Sequence, residues 1–228
     1  MGQTLRVMSA NLWWGKANAE GLLALIRLYD IDAICCQELG FEQAEAISEE
    51  LAFGELSPSK GPKGTGIALR RPATIEVVPM TYRPLHVARL DPADWPELGA
   101  PVEIATTHLA APHIPPYGIG PFTRRRQTRQ IESYLVENPV AHRLLVGDFN
   151  ATPLWPAYRR IASQLTDAAV AVAQVEGRPV SATWGPGSGA RRVLRIDHAF
   201  VSGLTPLAFE VVELAGSDHA AIVIDFSL

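Results

Sequence analysis

The chain has 228 residues, 47% hydrophobic and 19% charged, and its 24 acids and 20 bases give a net charge of −4. This is the balance of a globular protein, and it speaks against one that wraps nucleic acid by overall positive charge alone. No apolar run reaches the ~20 residues of a membrane span, and MGQTLRVMSANLWWG lacks the charged start and apolar centre of a secretory signal. A cytoplasmic location is expected, with export left open, along with one domain over residues 1–228, no protein partner and a monomer.

In chain order, LRVMSANLWW reads as a strand that alternates apolar residues and reaches Asn11. Helical spacing follows over residues 21–30, with Leu22, Leu25, Ile26 and Tyr29 on one stripe. DAICCQEL is a buried strand arriving at Gln37 and Glu38. Its adjacent Cys35 and Cys36 should face opposite sides and stay free, which suits a reducing compartment. EQAEAISEEL predicts an amphipathic helix, and residues 54–66 a loop of turn formers.

GIALRR, ATIEVVPM and RPLHVARL predict three strands, and PVEIATTHL a fourth that ends at His108. A Pro/Gly loop at 111–122 precedes a helix over 123–138, for which Thr123 is the expected cap. HRLLVGDFN follows, then a helix near 155–165, the loop TWGPGSGARR, and strands LRIDHAFVSG, LAFEVVEL and DHAAIVIDFSL.

Within LLVGDFNATP, a strand buried on both faces meets Gly147, Asp148 and Asn150. Two readings stand side by side. Asp148 and Asn150 close a turn on their own backbone, or they present a carboxylate and a carboxamide to a hard cation and a phosphate oxygen. Asn11, Glu38, His108 and Asp197 also sit at strand ends, and Asp218-His219 opens the last strand. Chemistry in α/β folds gathers at such ends. If Glu38, Asp148, Asp197 and Asp218 form one site, the other charges balance, so net charge does not exclude an anionic substrate.

SANLWWG, QEL, TTHLA, GDFNATP, RIDHAFVS and GSDHAAI occur in the order of the motifs of the endonuclease/exonuclease/phosphatase superfamily, which the chain resembles from about residue 5 to 227. The resemblance implies an α/β four-layer sandwich, two packed β-sheets flanked by helices. It also implies phosphoester hydrolysis with Mg²⁺ or Mn²⁺. By motif, Glu38 corresponds to the principal metal ligand, with Asn11 and Asp218 beside it. Asp148 corresponds to the group that orients or deprotonates the attacking water, and Asn150 to the group holding that water or a phosphate oxygen. His219 corresponds to the phosphate-contacting histidine oriented by Asp197, and His108 to a second donor or general acid.

Within that superfamily, Trp13, Gly40 and Leu194 depart from the abasic-site endonucleases, and the PAWCDR signature of inositol polyphosphate phosphatases is absent. The deoxyribonuclease-like branch fits better, making DNA the expected substrate. Arg124, Arg125, Arg126, Arg191 and Arg192 are then candidates for backbone phosphates, and Tyr117 and Phe122 for base stacking. The alternative is a phosphomonoesterase acting on a lipid or other small phosphate, since GDFNATPLWPAYRRI and RIDHAFVSGL also resemble phosphatases related to glycopeptide resistance. Trp13, Trp14 and Trp184 are read as packing or pocket wall, and His86, His113, His142 and His198 as ordinary.

Overall fold

The computed structural model describes residues 4–112 and 119–228. Two expectations, His113 and Tyr117, lie outside the described residues. The chain begins with β1 (Leu5–Asn11), α1 (Ala19–Leu28), β2 (Ala33–Gln37), α2 (Phe41–Glu50), β3 (Phe53–Ser57) and β4 (Thr65–Leu69). It continues with β5 (Thr74–Val78), β6 (Leu85–Leu90), β7 (Val102–His108), α3 (Ile119–Glu137) and β8 (Arg143–Asp148). Then come α4 (Pro156–Ala162), β9 (Thr166–Asp167), α5 (Ala168–Glu176), β10 (Asp197–Ser202), β11 (Thr205–Val212) and β12 (Ala221–Ser227).

The strands form two six-stranded sheets, ordered β11-β12-β1-β2-β4-β3 and β5-β6-β7-β8-β10-β9. Alternation sorts each central strand between two cores. On β1, Leu5 and Val7 face the space between the sheets, where they meet Ile104, Leu144 and Val146. Met8 and Ala10 point the other way, into a cluster with Leu22 and Ile26 of α1 and Ile47 of α2. The second sheet does the same, its outer face covered by Ile131 and Leu135 of α3 and Ile161 of α4. Full burial of each such large aliphatic side chain stabilises the fold by roughly 1.5–3 kcal/mol. The result is the expected four-layer sandwich.

Three segments differ from expectation. The supposed loop at 54–66 opens with β3, a mostly exposed edge strand paired to β4, so no apolar alternation announces it. The third helix starts at Ile119 instead of Thr123. Pro121 is tolerated there because amides of a first helical turn have no intrahelical acceptor. An additional helix, α5, is capped by the Asp167 side chain accepting from the Val170 amide and ends on Gly177 in the left-handed region. Its Ala168, Ala169 and Val172 belong to the core between the sheets.

Topology brings the polar strand ends together. β1 and β2 run parallel, as do β7 and β8, with α1 and α3 as crossovers. The C-termini of both pairs lie at one end of the sandwich. β10 and β12 run antiparallel to β8 and β1, so their beginnings reach that same end. Among the described residues, no helix is long and apolar enough to cross a membrane.

Candidate active site

Asp148 ends β8 directly beside two ladder partners, His108 on β7 and Asp197 on β10. Its neighbour Gly147 has φ +144°, and a Cβ there would lie 2.0 Å from the Thr107 carbonyl oxygen. Only glycine lets β8 bend at that point while staying on β7. Asn150 then turns through the left-handed region at φ +46°. Its amide donates to Asp148 Oδ1 at 2.7 Å and its Nδ2 donates to Asp148 Oδ2 at 2.9 Å. The two readings of this stretch are therefore compatible. A local turn on Asp148 is what brings the Asn150 carboxamide back onto its carboxylate.

Across the cleft, Asn11 Nδ2 donates to Asp148 Oδ2 at 3.0 Å, linking the two sheets. His108 Nε2 lies 3.2 Å from Asp148 Oδ2 and 3.8 Å from Glu38 Oε1. His219 Nε2 lies 3.9 Å from Asp148 Oδ2, and its Nδ1 is 2.9 Å from Asp197 Oδ2. Thr183 Oγ1 donates to that same Asp197 oxygen at 2.6 Å. The Ser217 hydroxyl ties the His219 amide to the Asn11 carbonyl, while Trp184 Nε1 donates to Asp218 Oδ2 at 3.0 Å.

The electrostatics differ from group to group. Burial and the Arg83 charge push His108 down to about 4, so it is neutral and donates Nε2–H to Asp148. Burial alone would raise the Asp148 carboxyl, but the His108 hydrogen bond, the His219 charge and the Asn150 amide hold it well below the usual carboxylate range. Burial likewise works to lower His219, yet Asp197, with Asp148 and Asp218, raises it to about 9. A proton therefore stays on that imidazole, against a carboxylate that burial itself raises. Burial and then the Asp148 charge lift Glu38 to about 7.

These groups open into a cleft of about 220 Å³ whose walls include Trp13, Trp14, Trp155 and Trp184. Six non-glycine residues among those described have positive φ, and four of them, Trp13, Trp14, Glu38 and Asn150, line this cleft. Such conformations cost about 1–3 kcal/mol each and gather where function needs them. Two loops are wedged together to hold the first three. The Gly15 amide donates to the Glu38 carbonyl, and a Cβ on Gly40 would meet Gly15 Cα at 2.6 Å. Trp14 donates its amide to Glu38 Oε2 at 3.1 Å.

The carboxylate set suits a hard cation. Asp218 Oδ1 is buried with no hydrogen-bond donor among the described residues, and Glu38 is held where a second charge would restore its ionised form. Asp148, Asp197 and His219 also offer ligand atoms within 4.8 Å of one another. There, however, the Asp197–His219 hydrogen bond and the Thr183 hydroxyl already occupy the carboxylate. Glu38 with Asn11 and Asp218 is thus the better-suited side.

The basic candidates diverge. The Arg192 side chain is only 7% exposed, donating to the Asp218 and His219 carbonyls and pairing with Glu213. It braces the loop that carries His219. Arg125 is exposed on α3, and Phe122 is 73% exposed. Arg126 lines a separate groove with Glu76 and Tyr134. His198, turned away by alternation, bonds the Ala151 carbonyl and packs against Phe149, Tyr158 and Phe200. Trp155, Thr183 and Arg83 were not singled out in the sequence, because nothing local marks them. WG after Thr183 and PLWP after GDFNAT are the only hints.

The model of the Endonuclease/Exonuclease/phosphatase family matches residues 8–219. The chain is also similar to three solved structures, which at these identities speaks for the fold. D. rerio TDP2 complexed with a single-strand DNA product shares 17% identity over 99% of this chain and 100% of that one, with a TM-score of 0.71. The mannosyl-6-phosphatase of Bacteroides thetaiotaomicron shares 16% over 98% and 100%, with a TM-score of 0.77. The human Nocturnin catalytic domain with a bound sulfate anion shares 23% over 98% and 94%, with a TM-score of 0.69. No curated protein matches the sequence.

Proposed function

Given that this chain belongs to the endonuclease/exonuclease/phosphatase family and is a phosphoester hydrolase, we propose that it cleaves DNA phosphodiesters by in-line attack of water. The observation that carries this reading is Asp148 itself, an ionised carboxylate fixed by Asn11, His108 and Asn150 at the floor of the cleft. Asp148 takes a proton from the water as its oxygen bonds phosphorus. The opposite P–O bond breaks, phosphorus inverts, and the departing oxygen collects its proton from solvent. Asn150 orients the water.

The Asp197–His219 pair presents Nε2–H to a non-bridging phosphate oxygen, where negative charge grows. His108 has its one donor on Asp148, so it holds the base in place. A divalent ion, Mg²⁺ or Mn²⁺, held by Glu38 with Asn11 and Asp218 would neutralise phosphate charge and stabilise the departing oxygen. The neighbour holding a single-strand DNA product supports a strand as substrate.

One observation favours a second reading. Among the described residues, no arginine or lysine lines the tryptophan-walled cleft, which suits one phosphate on a small ester, as the name of the mannosyl-6-phosphatase indicates for that neighbour. The test is a panel of supercoiled DNA, single-stranded DNA, RNA and small phosphomonoesters with Mg²⁺ or Mn²⁺. Strand scission that stops in EDTA is expected. Release of inorganic phosphate from the monoesters with every nucleic acid intact selects the second reading.

A further inference from the structure

Beside the cleft lies a second hollow of about 390 Å³, lined by Arg124, Arg125, Thr128, Trp155 and Arg160 among others. Trp155 lines both spaces. Among the described residues, three guanidinium groups and no carboxylate face this hollow. Arg160 is tied to Glu132 at its outer side. Arg125 is exposed and has no ion pair among the described residues.

Arg124 is the unusual member. It is 8% exposed and meets no acid within ion-pair distance among the described residues. One of its nitrogens donates to the Ala110 and Asn150 carbonyls at 3.1 and 3.0 Å. The guanidinium carbon sits 4.7 Å from the centre of the Trp155 ring. Buried charges are ordinarily paired, because an uncompensated one costs several kcal/mol. An arginine kept buried with no direct ion pair, its nearest acid influence being the more distant Asp148, and facing a cavity, is a place for an incoming anion. Guanidinium groups match phosphate oxygens in geometry as well as in charge.

We propose that this hollow binds a phosphate of the substrate other than the one cleaved, so that the strand crosses Trp155 with one phosphate on each side. The inference rests on the strand-cleaving reading above and extends it. Among the described residues the catalytic cleft presents one cation, the His219 imidazolium, which is given to the phosphate being cleaved, whereas the second hollow presents three guanidinium groups. Trp155 between them offers a flat apolar surface for the intervening nucleoside.

The test measures binding of a fluorescent single-stranded oligonucleotide to the full chain carrying Asp148→Asn, which blocks turnover, with Mg²⁺ and with Mn²⁺. One linkage at a time is replaced by a neutral methylphosphonate. Neutralising one linkage adjacent to the scissile one should weaken binding about tenfold, a change of ~1.4 kcal/mol. Adding Arg125→Gln, at an exposed position that threatens no packing, should weaken the native strand similarly and the neutralised strand no further. Arg160→Gln gives a second, independent cycle.

Equal binding of all strands, or losses from Arg125→Gln that are the same for native and neutralised strands, would overturn the subsite. The parent reading fails differently. Wild-type protein that leaves bis(p-nitrophenyl) phosphate, a diester with a single phosphate, intact with both metals rejects phosphodiester cleavage itself.

Discussion

The parallel ladder of β7 and β8 has two polar ends that behave oppositely. At one end Glu103 stands beside Arg143, and at the other His108 stands beside Asp148. The first pair is an ion pair at 2.6 Å whose other carboxylate oxygen accepts from Tyr134 and faces Arg89. All its charge is answered. At the second end, Asp148 shares the cleft with Glu38 and Asp218, one oxygen of Asp218 lacks a donor among the described residues, and Glu38 is driven up to about 7. One strand pair thus supports stability at its start and reserves unsatisfied charge for a ligand at its finish. Buried polarity carries functional meaning where it is incomplete.

That contrast sets the expected outcome of each substitution. Asp148→Asn should lower turnover of bis(p-nitrophenyl) phosphate by about 10³-fold or more, within the range removal of a general base produces. Its thermal midpoint should fall only modestly, because relief of the repulsion with Glu38 offsets part of what is lost toward His108 and His219. A collapse in stability instead would make Asp148 a structural residue like Glu103.

Arg143→Ala should do the reverse. It takes from buried Glu103 the shorter of its two ion pairs, leaving Arg89, and costs up to about 3–5 kcal/mol in chemical denaturation, with kcat/KM of the remaining folded protein unaltered. Loss of activity in excess of the unfolded fraction would dissolve the distinction between the two ends.

Metal sharpens the comparison further. Mn²⁺ at ~100 times its dissociation constant should stabilise the fold by about 2.7 kcal/mol, with EDTA reversing the gain. Glu38→Gln should abolish most of that gain while being no less stable than wild type without metal. An undiminished metal response in the variant would move the ion away from Glu38.

The smallest effect concerns His86, which lies outside both ends and hydrogen-bonds Thr65. Burial lowers it from 6.5 to about 4. A histidine kept neutral by the fold contributes stability that is complete above pH ~6.5 and drains away as pH falls toward ~4, because the unfolded chain takes up the proton first. His86→Asn should flatten this acid limb of the stability curve by on the order of 1–2 kcal/mol. An unchanged limb would assign acid sensitivity to the carboxylates.

Most of the sandwich can be read from the sequence, since β1, β2, β7 and β8 are apolar runs ending abruptly in polar residues. The candidate residues Asn11, Glu38, His108, Asp148 and Asn150 lie at or just past those ends, Asp197, Asp218 and His219 lie at or just before the starts of β10 and β12, and the fold gathers all eight. Trp155 is different. It takes its significance from Arg124, a neighbour distant in the chain, and no local pattern encodes that meeting. α5 did carry a local signal, Asp167 before an alanine-rich stretch, but its face is buried between the sheets without the polar stripe of a surface helix. β3 lies at the opposite extreme, exposed at an edge and identified only by the partner that hydrogen-bonds it.

Cys35 and Cys36 sit side by side on β2, one between the two sheets and the other beneath α1 and α2. Burial pushes the Cys35 thiol up to about 12 and likewise raises its neighbour, so neither reacts while its layer is shut. The pair is a built-in clock for opening. Alkylation trapped at Cys36 alone would record peeling of the helical coat, and simultaneous alkylation of both would record the sandwich parting as one body.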